Sequence, residues 1–185
     1  MRWSAFSFGI IFSAVLWGPA WPKEPPCHDN KAADAAKDAA AVALDRLKTL
    51  VGEWEMVKPP DESSKGKTAV HYRLTGGGTA VAETIFPDSA MEMLSVYHRD
   101  GDQLVMTHYC AAGNQPRMRA KIGKDKDELV FEFAGGSNLN PAKDMHVHGG
   151  RVRFVDADHI HAEWEMYADG KAAAKHSFDL VRKKK

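Results

Sequence analysis

After Thr49 the chain settles into a two-residue alternation of apolar and polar side chains and keeps it to the C-terminus. Alternation of that period puts successive side chains on opposite faces of an extended strand. Ten runs can be counted between turn signals, at about 51–57, 67–74, 79–86, 91–99, 102–110, 116–122, 127–134, 144–155, 158–168 and 174–182. The breaks between them are chemically specific. Thr75-Gly76-Gly77-Gly78 can adopt positive φ, Asp100-Gly101 and Asp169-Gly170 are hairpin dipeptides, and Pro87-Asp88 and Asp156-Ala157-Asp158 are short polar reversals. Strands this closely spaced, with no helix among them, predict an antiparallel meander. A long meander must either close on itself or leave two edges unpaired, so the expectation is an all-β fold: a closed antiparallel up-and-down β-barrel of about ten strands.

The segment before the strands reads differently. Residues 31–49 are rich in Ala, with Val42, Leu44 and Leu47 forming a narrow apolar stripe, which predicts one N-terminal α-helix. Residues 21–30, WPKEPPCHDN, hold three prolines and read as a flexible tether. Residues 1–20 fit a signal peptide, with Arg2, an apolar run from Ala5 to Trp17 and the small-residue site Gly18-Pro19-Ala20. The expected protein is therefore periplasmic or secreted, with a barrel domain over 50–185 and no membrane span once the signal is removed. Lys and Arg together number 25, as do Asp and Glu, so no charge excess directs the chain to nucleic acid. Two cysteines, Cys27 and Cys110, could pair in an oxidising compartment or remain apart.

Within LKTLVGEWEM, Leu47 to Met56, a helical lead runs into Gly52-x-Trp54 on the first strand. This resembles the opening of the calycins: the lipocalins, the fatty-acid-binding proteins and the nitrobindin-like ten-stranded barrels. It also looks like small secreted bacterial proteins of unknown function built on that barrel. The resemblance implies that Trp54 packs across the barrel floor and that Gly52 permits close backbone approach. A nitrobindin-like protein would continue with further glycines and place a haem-ligating His on a late strand. Here the chain continues EMVKPP, and the late-strand His is His176 in KHSF.

Parity assigns faces. Val70, Tyr72 and Leu74 should point inward, as should Leu129, Phe131 and Phe133. In MTHYC, His108 and Cys110 share a face with Leu104 and Met106. His146 and His148 share parity with Val152 and Phe154, while Arg151 and Arg153 share the other face, opposite outward Glu163 and Glu165. His159 and His161 belong to the surface. Around Glu83 two faces compete, because Val81 and Ile85 are balanced by Ala80, Ala82 and Phe86. The expected interior is mostly apolar, with a polar cluster of Tyr72, His108, Cys110, His146, His148 and Glu83. Asn114, Gln115 and Asn138 lie in amide-rich loops that could rim the cavity.

Buried polar groups need partners, so such a cluster must satisfy itself, hold water, or hold a ligand. Four readings follow. The first is a binding protein for a small, partly apolar molecule, with Tyr72, Glu83, His108, Cys110, Asn114, Gln115, Asn138, His146 and His148 as candidate contacts. The second is a zinc or copper site at His108, His146 and His148, since a His-x-His pair on one strand places its imidazoles about 6–7 Å apart. The third is an enzyme using His108 and Glu83 as acid and base or Cys110 as nucleophile. The fourth is a purely structural role. Neither the ligand nor any cofactor can be named from these residues.

Overall fold

A computed structural model describes residues 31–122 and 126–184. The expected signal, the tether and Cys27 lie outside the described residues. Helix α1 (Lys31–Lys48) leads into ten strands: β1 (Gly52–Met56), β2 (Val70–Thr75), β3 (Ala80–Ile85), β4 (Met93–Asp100), β5 (Gln103–Tyr109), β6 (Gln115–Lys121), β7 (Glu128–Ser137), β8 (His146–Phe154), β9 (His159–Ala168) and β10 (Lys171–Arg182). Each strand pairs antiparallel with its sequence neighbours, and β1 closes on β10 through Trp54 opposite Arg182 and Met56 opposite Leu180. The expected closed meander is thus the observed one, and it is compatible with the calycin-like architecture that the Gly-x-Trp stretch resembles. The turns work as their residues dictate: Asp169 and Gly170 both take positive φ, 50° and 70°, the pattern of a tight hairpin turn.

The helix plugs one end of the barrel. Its buried positions are Ala40, Ala43, Leu44 and Leu47, a spacing of three and four that makes a single stripe. Val42, expected in that stripe, is 60% exposed, since it falls about a quarter-turn outside it. The stripe packs into a core with Leu50, Trp54, Val81, Tyr97, Leu104, Met118 and Phe131. Trp54 is completely buried and donates its indole N–H to the Leu50 carbonyl at 2.7 Å, so the first strand is pinned to the end of the helix. Arg182 lies over the Trp54 ring at 4.5 Å and donates to the carbonyls of Val51 and Thr49, each at 2.8 Å, locking the chain's last strand across the same floor. Gly52 sits beneath that guanidinium with φ 132°; a Cβ there would lie 3.2 Å from Arg182 Nη1. Trp54 packs at the floor as the resemblance implied, whereas the space left by Gly52 is taken by the Arg182 side chain.

Two departures from strict alternation matter for the site. A register shift falls between Val147 and Gly149 where β8 meets β9, so Val147 faces Met166 and Gly150 faces Trp164, both lumen-side partners. The intervening residue is a bulge that reverses parity on its N-terminal side. Gly150 is required where the strand resumes, because a Cβ there would run into the Glu163 carbonyl and the Trp164 ring. The β7–β8 ladder also ends at Glu132 opposite Gly149, leaving the strands splayed beyond it. On the outer face Arg151 pairs with Glu163 as expected, whereas Arg153 faces His161 and Glu128 rather than Glu165, because the unbroken register running from Phe154 opposite Ile160 sets Glu165 opposite Gly149. His159 and His161 are half-buried on that surface, with His161 Nδ1 2.7 Å from Asp179.

Candidate functional site

Four consecutive strands contribute one row of polar side chains across the barrel's inner wall. Tyr72 on β2 stands opposite Glu83 on β3, Glu83 opposite Ser95 on β4, and Ser95 opposite His108 on β5. Directly opposed residues on one face have Cβ atoms about 4.5–5.5 Å apart, close enough for short polar side chains to bond in series. They do. The Tyr72 hydroxyl donates to Glu83 Oε1 at 2.6 Å, the Tyr97 hydroxyl donates to Glu83 Oε2 at 2.7 Å, and Ser95 Oγ lies 3.0 Å from His108 Nδ1. Ser95 also lies within hydrogen-bonding reach of Glu83 and of the Tyr97 hydroxyl. Each of these five residues is buried.

Glu83 therefore belongs to the interior, which settles the parity ambiguity. Burial pushes its carboxyl up from the ordinary range, against the opposing pull of the hydrogen bonds from Tyr72, Tyr97 and Ser95. Burial raises both phenols well above their usual value, and the adjacent Glu83 carboxyl adds to the effect. His108 is pulled down to about 4 by burial. Its Nδ1 faces Ser95, while its Nε2 is buried with no protein partner.

The row forms one wall of a cavity of about 510 Å³. The cavity lies between the plugged floor and the opposite end of the barrel, where the 86–92, 110–114 and 138–145 connections meet. Six of the chain's eight methionines line it: Met56, Met91, Met93, Met106, Met145 and Met166. Phe86, Trp164 and Phe178 supply aromatic surface. The polar lining is confined to Glu83, Ser95, His108, Cys110 and His176, with no Lys or Arg. Such a chamber is apolar and adaptable, since thioether chains repack easily, and it carries a few fixed polar groups.

The expected candidates divide between this cavity and elsewhere. Glu83, His108 and half-buried Cys110 line it, and Tyr72 supports it from behind Glu83. His146 and His148 do not. The bulge after Val147 turns that residue into the lumen and leaves the two imidazoles in the splayed β7–β8 seam, which corrects the expectation drawn from parity. There His148 is stacked between Phe133 and Tyr167, with ring centroids at 4.6 and 3.7 Å. His146 bonds to the Asp144 carbonyl at 2.8 Å and to His148 at 3.0 Å. Burial, then the neighbouring His146, holds the His148 ring below the usual imidazole value. Phe133, expected in the core, is half-buried in this stack. The expected trio of His108, His146 and His148 is thereby divided between the row and the seam, and among the described residues no three His, Cys, Asp or Glu side chains gather into a metal-holding set.

The loop amides tie loops together instead of lining the cavity. Asn114 is buried and donates to the Met145 carbonyl at 2.8 Å, and Asn138 donates to the Gln115 side chain at 2.9 Å. Sequence reasoning missed Ser95 and Tyr97, and it named His176 without placing it in the cavity. The first two were within reach: β4 and β5 pair residue for residue back from the Asp100-Gly101 turn, which sets Ser95 against His108 and Tyr97 against Met106.

His108 makes the fold sensitive to acid. In the unfolded chain an imidazole takes up a proton near pH 6.5, but in the folded protein only near pH 4, so unfolding binds a proton between those values. Stability from this residue therefore falls as pH falls from 6.5 to 4 and is constant below. Glu83, with its carboxyl raised, acts in the opposite sense, so the His108 effect is isolated by difference. Comparing urea unfolding of the wild type and His108→Leu, the wild type should lose about 2 kcal/mol relative to the variant between pH 7 and pH 4.5. Parallel pH profiles would contradict the assignment.

Comparison with protein-family models and with curated proteins returns no match. The fold and site together define the chain as a closed ten-stranded antiparallel barrel with an internal, methionine-lined cavity that could accept a small molecule. No helix among the described residues is long and apolar enough to cross a membrane.

Proposed function

We propose that this is an exported, calycin-like binding protein that holds a small, neutral, largely apolar molecule inside the barrel. The observation that carries the reading is the cavity: apolar on nearly every side, about 510 Å³, and provided with one buried imidazole nitrogen that no protein group satisfies. A ligand of this kind gains by leaving water, at roughly 25 cal/mol per Å² of apolar surface covered. An anionic ligand is disfavoured, because the lining offers no Lys or Arg to offset the cost of burying a charge beside Glu83. Export rests on the N-terminal signal pattern, and cleavage after Ala20 is the corresponding expectation for the mature protein.

Two measurements test the binding. Native mass spectrometry of protein purified from its exported form should show an added mass in the small-molecule range. Nile red, a neutral dye, should brighten on mixing with the ligand-stripped protein. Ala162→Phe, which sends a ring into the cavity from β9, should abolish that brightening while leaving the circular dichroism of the barrel intact. A bare mass together with no dye response would overturn the proposal.

A further inference from the structure

We propose that His108 presents an unprotonated Nε2 lone pair to the cavity, and that the ligand is an apolar molecule carrying a hydroxyl or N–H group that donates to it. The proposal deepens the binding reading above and rests on it.

The argument is a count of protons along the cross-strand row. Glu83 has two carboxylate oxygens, each receiving a phenolic hydrogen, one from Tyr72 and one from Tyr97. Neither phenol has another acceptor among the described hydrogen bonds, so each must spend its single hydrogen on Glu83. Ser95 is bonded to the same carboxylate and has one hydrogen to give. If Ser95 donates to Glu83, its oxygen is free to accept; the neighbouring Tyr97 hydroxyl has already committed its hydrogen to Glu83, so the donor left among the described residues is His108 Nδ1 at 3.0 Å. Every hydrogen in the row is then used. What remains is one unmet acceptor, the Nε2 lone pair.

The reverse arrangement is poorer. With Ser95 donating to Nδ1 its bond to Glu83 goes unmade, so the row holds one hydrogen bond fewer, and His108 carries its hydrogen on Nε2, buried and unmet. The imidazole is neutral in the folded protein down to about pH 4, so only one nitrogen holds a proton at a time. Ser95 acts as a positioning residue: it bonds to Glu83 on one side and fixes the tautomer of His108 on the other. The chemistry that completes the site is a neutral donor at the end of an apolar body, as in a fatty alcohol, a sterol-like alcohol or an apolar amide.

Three ligands of one chain length separate the possibilities: decyl alcohol, which can donate, decyl methyl ether, which can only accept, and decanoate, which is anionic. Each is titrated at pH 7 against Nile red bound to the intact mature protein. Decyl alcohol should displace the dye roughly tenfold more tightly than the ether, the size of one net hydrogen bond, with decanoate weakest. In His108→Leu the alcohol-to-ether ratio should collapse toward one while Nile red still binds, which shows that the barrel is intact. Ser95→Ala, which frees the ring to hold its proton on either nitrogen, should reduce the ratio without abolishing dye binding. An equal alcohol and ether in the wild type, a ratio unchanged in His108→Leu, or decanoate as the tightest ligand would each overturn the inference while leaving the binding reading in place. Failure of the dye and of all three compounds to bind would remove both.

Discussion

Glu83→Leu should cost the fold about 2–5 kcal/mol, seen as a large drop in urea midpoint. The expected loss comes less from the carboxylate than from what it leaves behind. Tyr72 and Tyr97 are 1% and 0% exposed and have Glu83 as hydroxyl partner, and Ser95 bonds to the same group. A buried donor stripped of its acceptor costs about 1–3 kcal/mol, so two phenols account for most of the effect. The control is decisive: adding Tyr72→Phe and Tyr97→Phe to Glu83→Leu removes the stranded hydrogens together with the acceptor, and most of the stability should return. Contacting residues are coupled, so the triple variant should be far more stable than the sum of its parts. If it is no better than Glu83→Leu alone, the phenols do not depend on the carboxylate.

Trp54→Ala should cost about 3–5 kcal/mol, the range for deleting a fully buried aromatic from a packed core. The indole is edge-on to Tyr72, with ring centroids 6.4 Å apart, and it is covered by Arg182. Removing it opens a void between helix, first strand and last strand at once, and it leaves the Leu50 carbonyl without its partner. Trp54→Phe should retain much of the packing and lose chiefly the hydrogen bond, with a penalty nearer 1–2 kcal/mol. Thermal or urea unfolding of both variants checks the pair; an alanine variant losing under 1 kcal/mol would show that the floor does not depend on the ring.

The strands were legible because their signals are local. β3 at 80–85 and β5 at 103–109 sit inside the runs expected from alternation, and the turns are set by Asp, Gly and Pro at the points of reversal. Closure followed from the cost of unpaired edges. The site was legible only in part. His108 faces inward as parity implies because β5 keeps its alternation to Tyr109, and Cys110, just past the strand's end, still lines the cavity. His146 and His148 were misplaced because a bulge depends on how β8 registers against β9, a relation between strands that parity within one strand does not contain. Glu83 was ambiguous for a related reason: small Ala82 is buried on the opposite face, so both faces of β3 look internal until Tyr72 and Ser95 are set beside it. Asn114, Gln115 and Asn138 could not be assigned, since an amide that fastens two loops and one that greets a ligand have the same sequence signature.

Among the described residues the helical plug closes the barrel at one end, as the base closes a flask. With Leu47, Leu50 and Trp54 packed at the base, the cargo of the proposed binding function would enter and leave at the other end, past Met91 and Met145. How fast the barrel empties is governed at the neck, so changes there should alter residence time while those at His108 alter which cargo is kept.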